Sequence, residues 1–196
     1  MRLEKRQDTE GERLALREAI ASLRAGCANT AAPCAAVCPS QPPRSDCSPD
    51  CPDVRTSLST EPAAEPLEAT VAPLIYQLAK LQVFQPYWSC GGHSHPDGTI
   101  WKTPRVWFYC ADIVHARALA DCLLDTKVRK FLKCRWQIAL TYCEPGNTGA
   151  AFAIEPSPVE TVPLADLQSD ARRLADILSD AMARQLDIIE AAASPA

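Results

Sequence analysis

The sequence is poor in the residues that mark several large functional classes. Among its 196 residues are only seven glycines, two methionines and three histidines, and aromatic side chains make up 6%. No Gly-rich phosphate loop, dinucleotide-binding fingerprint or G-x-S-x-G nucleophile elbow occurs. H-E-x-x-H is absent, and no P-C-x-x-C follows the histidines as zinc deaminase chemistry requires. No apolar run approaches the roughly 18 residues of a spanning helix, so no membrane role is expected. Basic excess is lacking as well. With 20 Lys+Arg against 24 Asp+Glu the net charge is −4, which argues against bulk attraction to nucleic acid or lipid and leaves only local patches. Residues 1–24 alternate charges without an apolar h-region, so a signal peptide is not expected and a cytoplasmic location is.

Cysteine and proline, in contrast, are plentiful, at 10 and 17 residues. Cysteine at about 5% falls short of a disulfide scaffold, for which roughly 8–10% is usual. In a reducing compartment, clustered cysteines point to metal ligands or redox thiols rather than bridges.

Composition divides the chain into three parts. Residues 1–24 carry an amphipathic helix, with Leu16, Ile20 and Leu23 in a stripe and Gly11 weakening its start. Residues 25–66 are Cys/Pro-rich, with Val37, Val54 and Leu58 as their only large apolar side chains. Such a stretch cannot offset its own ordering entropy without help, so it is either a disordered linker or a loop folded around a metal. Residues 67–196 read as an α+β domain. Thr70 is the expected N-cap of a helix with Pro73 in its first turn, followed by a strand over 83–90 that Pro86 assigns to an edge. A second strand covers Arg105–Cys110, a helix capped by Asp112 runs to about Lys127, and strands follow at 136–143 and 150–154. Pro145–Gly149 is of hairpin-turn length. A long helix over 164–189 closes the chain, with an a/d seam of Leu164, Leu167, Ala171, Leu174, Leu178, Ala181, Gln185 and Ile188. That seam packs across its own domain, or joins a second copy or a protein partner through the terminal helices. The element order predicts a mostly antiparallel sheet of about four strands with helices on one face.

Two constellations carry metal-binding chemistry. The first is C-x6-C-x3-C-x8-C-x3-C, formed by Cys27, Cys34, Cys38, Cys47 and Cys51. Its two C-x3-C pairs, Cys34/Cys38 and Cys47/Cys51, suit a tetrahedral ion, and metal bonds would supply folding energy the segment lacks. Zn2+ fits better than an iron–sulfur cluster, because the ferredoxin spacing is absent. Cys27 is a spare or alternative ligand. The second lies in Trp88–Gly98, where Cys90, His93 and His95 crowd one strand end and Cys110 ends the next strand. Those four form a second candidate metal site, with His115 as another donor. A metal- or thiol-dependent enzyme would instead use Cys90, His93, His95 and Asp97 catalytically. Cys122, Cys134 and Cys143 read as packing residues.

The strand end Ser89-Cys90-Gly91-Gly92-His93, followed by the aromatic strand Val106-Trp107-Phe108-Tyr109 and a helix, resembles small bacterial and phage domains with a Ser-Cys-x-Gly-His strand end. The resemblance covers Tyr87 to Cys110; most such domains have no assigned activity, so it implies a fold more than a function. A fainter likeness is to transfer-RNA wybutosine-modifying methyltransferases, whose strand ends in Ser-Cys-Ser-Gly. Here Gly91 replaces the second Ser and His93 has no counterpart, so that activity is not carried over.

A third feature interleaves rings and cations: Trp101, Lys102, Arg105, Trp107 and Tyr109, then Lys127, Arg129, Lys130, Lys133, Arg135 and Trp136. Alternation puts Arg105, Trp107 and Tyr109 on one strand face. A single-stranded nucleic-acid module needs that face open; a helix covering it would reduce the feature to packing. The leading expectation is a metal-binding protein with a binding or regulatory role.

Overall fold

The computed structural model describes residues 9–29, 51, 53, 58, 67–110, 112–141, 150–157 and 162–193. Thr9 starts the first helix, α1 (Glu10–Ala28), with a capping box: its hydroxyl accepts from the Glu12 N–H at 3.2 Å, and the Glu12 carboxylate accepts from the Thr9 N–H at 2.7 Å. The expected stripe is the face that docks, since Ala19, Ile20 and Leu23 are buried. The helix continues to Ala28, so Cys27 is a helical residue packed against the core rather than part of the Cys/Pro-rich run. Burial raises its thiol pKa. The other cysteines of that run divide: Cys51 packs beside Ala72 and Tyr76, whereas Cys34, Cys38 and Cys47 lie outside the described residues.

Helix α2 (Ala72–Lys80) has Pro73 in its first turn, but Thr70 does not cap it. The chain enters through a turn in which the Glu68 carbonyl accepts from the Val71 and Ala72 N–H groups. Strand β1 (Phe84–Cys90) follows, then a short hairpin, β2 (His93–Ser94) and β3 (Ile100–Lys102), and β4 (Arg105–Cys110). Asp112 caps α3 (Ile113–Val128) by accepting from the Val114 N–H at 2.7 Å. Strands β5 (Trp136–Thr141) and β6 (Ala151–Pro156) and helix α4 (Leu164–Ala193) complete the order. The protein is α+β, with a four-stranded antiparallel sheet and a two-stranded one.

The sheet order is β1-β4-β6-β5, and β1 is the edge that Pro86 requires. Because β4 and β5 both pair antiparallel to β6, they run in the same direction. Parallel strands need a crossover, which α3 supplies. One face of the sheet, through Phe84, Val106, Phe108, Phe152 and Ile154, shares a core with Ile20 and Leu23 of α1, Leu74 and Leu78 of α2, Leu119 and Leu123 of α3, and Leu174 and Leu178 of α4.

The terminal seam is used inside the chain. Leu167, Ala171, Leu174, Leu178 and Ala181 are buried, but farther along the core side passes to Met182 and Leu186, leaving Ile188 exposed. A straight helix drifts about 20° per heptad from a 3.5-residue repeat, which moves the buried stripe by one residue over this length. No helix among the described residues is long and apolar enough to cross a membrane.

Candidate metal centre

The loop after β1 begins with two glycines. Gly92 has φ +84°, and a side chain there would run into Leu164 and Pro104, 2.7 and 2.8 Å from an added Cβ. Only glycine makes this turn without strain. It reverses the chain so that His93, the first residue of the β2–β3 hairpin, comes back over Cys90 at the end of β1. The Gly91 carbonyl accepts from Gln168 Nε2 of α4 at 2.9 Å, and the Gly91 N–H donates to Glu68 Oε2. The turn is therefore anchored to two distant parts of the chain.

That anchorage assembles three donors. Glu68 Oε1 lies 3.6 Å from His93 Nε2, and the ligand atoms of Glu68, Cys90 and His93 all fall within 4.8 Å of one another. Donors on a tetrahedral ion stand about 3.5 Å apart, so movements of about 1 Å would complete the set. The carboxylate, the imidazole and the thiol together match a borderline cation such as Zn2+. Cys90 is 3% exposed, while Glu68 and His93 are half-buried and open to solvent on one side. Outer contacts orient the group: the Gly91 N–H holds one oxygen of Glu68 and leaves the other toward His93, while Trp101 stacks on the His93 ring at 5.2 Å.

The other expected members are elsewhere. Cys110 pairs with Phe84, whereas Cys90 pairs with Arg105, so antiparallel register puts the two cysteines at opposite ends of β4. At about 3.4 Å per residue that separation is roughly 17 Å. His95 is exposed and faces Trp101, at 6.2 Å, and is not in the three-donor group. Asp97 accepts from the Thr99 N–H at 2.8 Å in the hairpin turn, a bond that lowers its carboxyl pKa. His115 is buried between α3 and α1, with Nε2 3.0 Å from both Ser22 Oγ and the Ala19 carbonyl oxygen. Cys122 and Cys134 are buried, and desolvation pushes the Cys122 thiol up to about 12. Cys143 lies outside the described residues.

No family model, curated protein or solved structure matches this chain. Glu68 is not legible as a ligand in the sequence. It sits 23 residues before Gly91, at the border of the Cys/Pro-rich segment, and no short motif links it to the histidine loop.

Proposed function

We propose that the chain binds a zinc ion through Glu68, Cys90 and His93, and that its role is binding or regulation rather than catalysis. The observation that carries this reading is the convergence of three different donor types, with the distant Glu68 brought to the Cys90–His93 turn. Three protein donors leave a tetrahedral ion one exchangeable position, which suits reversible binding of a further ligand. Zinc is favoured over an iron–sulfur cluster because this group offers one thiolate where a cluster takes four.

Elemental analysis of the freshly purified full chain tests the reading. About one zinc per chain is expected at this group. His93→Ala and Cys90→Ser should each remove that equivalent, while Cys110→Ala and His115→Ala should retain it. Retention of all metal in His93→Ala, with loss in the double substitution Cys34→Ser and Cys38→Ser, would place the ion in the Cys-rich segment and sink the proposal. A brown visible chromophore would sink the zinc assignment.

A further inference from the structure

Strand β5 is the second edge of the sheet, and it is built unlike the first. An edge exposes a row of unpaired N–H and C=O groups, which proteins blunt with proline, charge or a bulge. β1 has Pro86 and a register shift between Pro86 and Trp88. β5 reads Trp136-Gln137-Ile138-Ala139-Leu140-Thr141, with no proline and no charge, and it pairs with β6 without a shift from end to end. No described residue pairs with its other side.

The Arg135 carbonyl accepts from the Ser157 N–H at 2.8 Å, so Arg135 directs its backbone groups to β6. Directions alternate along a strand. Gln137, Ala139 and Thr141 therefore do the same, while Trp136, Ile138 and Leu140 direct theirs to the open side. Side chains alternate as well. Trp136 and Ile138 join the helix-side core, and Leu140 stands on that same side, yet it keeps 75% of its surface exposed. Helix α3 packs over this strand. Its Ile113 and Leu124, about three turns apart on one flank, are 65% and 49% exposed, whereas His115, which meets Ser22 of α1, is on the other flank. A backbone edge and three large apolar side chains are left open.

These features fit a second copy of the same strand. Antiparallel self-pairing about a two-fold axis normal to the sheet at Ala139 puts Ile138 opposite Leu140 of the second copy on the helix side, and Gln137 opposite Thr141 on the other. Ile138 and Leu140 carry the outward backbone groups, so each such pair exchanges both of its N–H···O=C bonds. Centring on Ile138 instead would set Leu140 against Trp136, whose ring is buried beneath the helices and cannot cover it. The same operator lays the two α3 helices antiparallel. Centred near Leu119, it brings Ile113 to Leu124 of the second copy and Arg117 to its Asp121; within one chain these two charges form only an exposed pair of 3.9 Å. Arg129, Lys130 and Arg135 sit at the bend between α3 and β5, so the axis sends the two cationic ends apart. Backbone, apolar side chains and charge are each self-complementary, whereas an unrelated extended peptide would match only the backbone.

We propose that the chain forms a two-fold symmetric dimer through β5, joining the two four-stranded sheets into one and pairing α3 with α3. The interface is separate from Glu68, Cys90 and His93 and does not rest on the metal reading. Sedimentation velocity of the full chain from about 1 to 100 μM tests it. Expected is a species of twice the 21.3 kDa chain mass, unchanged by EDTA. Leu140→Lys, which adds charge at an exposed edge position, should weaken dimerisation about ten-fold or more, with unchanged circular dichroism. Arg117→Asp should also weaken it, and combining Arg117→Asp with Asp121→Arg should restore it. Ala139→Cys tests the register: the two Cα atoms at the axis would stand about 4.5 Å apart, within disulfide range, so diamide should cross-link this variant far beyond the wild type. A monomer at the highest concentration overturns the proposal, as does a dimer indifferent to Leu140→Lys, and cross-linking of Ala139→Cys no stronger than wild type overturns the register. A dimer kept in Leu140→Lys but lost in Ile188→Asp or Trp88→Ala assigns association to the terminal helix or the aromatic sheet face and overturns the strand pairing. Dispersal by EDTA would do the same in favour of a shared metal.

Discussion

Replacing Asp170 by alanine is expected to lower unfolding free energy by about 4 kcal/mol, a large effect for a single polar substitution. Asp170 projects from α4 into the core side and is 3% exposed. Its two carboxylate oxygens accept from consecutive backbone N–H groups, Lys133 at 2.9 Å and Cys134 at 2.7 Å. These residues form the bend between α3 and β5, so the carboxylate ties the crossover to the terminal helix. Alanine would remove the acceptor of the buried Cys134 N–H and of the half-buried Lys133 N–H, and a hydrogen bond to a charged group is worth about 1.5–3 kcal/mol. The neighbouring Lys133–Asp166 ion pair is exposed and offers little compensation. A domain of this size loses about 2–4 °C in Tm per kcal/mol, so a fall of about 12 °C is expected. The substitution Asp170→Asn keeps one acceptor oxygen and turns an amide donor toward the other N–H, so its stability should lie between wild type and alanine. An alanine variant within about 1 °C of wild type would show that the bend holds itself without the carboxylate.

Gly26→Ala is the second large effect, and its sign runs against helix propensity. In a solvent-exposed helix interior this exchange gains about 1 kcal/mol. At Gly26, however, a Cβ would overlap the Leu81 carbonyl oxygen and come within 2.9 Å of its carbonyl carbon. The obstacle is backbone, which cannot rotate aside. Just beyond, Asn29 Nδ2 donates to the Lys80 carbonyl at 2.9 Å and fixes the same crossing of α1 over the end of α2. Overpacking of this kind costs about 3 kcal/mol, so a net loss of about 2 kcal/mol and a Tm lower by about 6 °C are expected. Gly11→Ala is the matched control. Its added Cβ meets only the Thr9 hydroxyl, at 4.0 Å, so there the gain in propensity should appear as a higher Tm. If both exchanges raise Tm, the close crossing of α1 and α2 is not what holds Gly26.

Neither Asp170 nor Gly26 shows its role in the sequence. Asp170 stands on the buried side of α4, between Leu167 and Leu174, and looks in the sequence like a polar interruption of the stripe. Its partners are backbone groups 36 and 37 residues away, and backbone donors leave no trace in composition. Gly26 reads as a helix terminator before a proline-rich run, yet the helix continues past it to Ala28 and uses it for contact. The β2–β3 hairpin escapes sequence reading for a related reason. Its strands are two and three residues long, too short for alternation to register.

Local chemistry by itself determined most of the elements: the stripes of α1 and α4, the cap at Asp112, the alternating strand Arg105–Cys110 and the edge position enforced by Pro86. It also placed Cys90 and His93 near each other, because a Gly-Gly turn allows no great distance between its flanks. What only tertiary structure decided was which strands are neighbours and therefore which donors meet. Antiparallel pairing carried Cys110 away from Cys90, while the anchored Gly91 backbone brought in Glu68. The same pairing spread an aromatic face over one side of the sheet and left the helices on the other. Periodicity is set by each residue's immediate neighbours, whereas a site assembled from Glu68, Cys90 and His93 depends on long-range register, which a residue pattern does not encode.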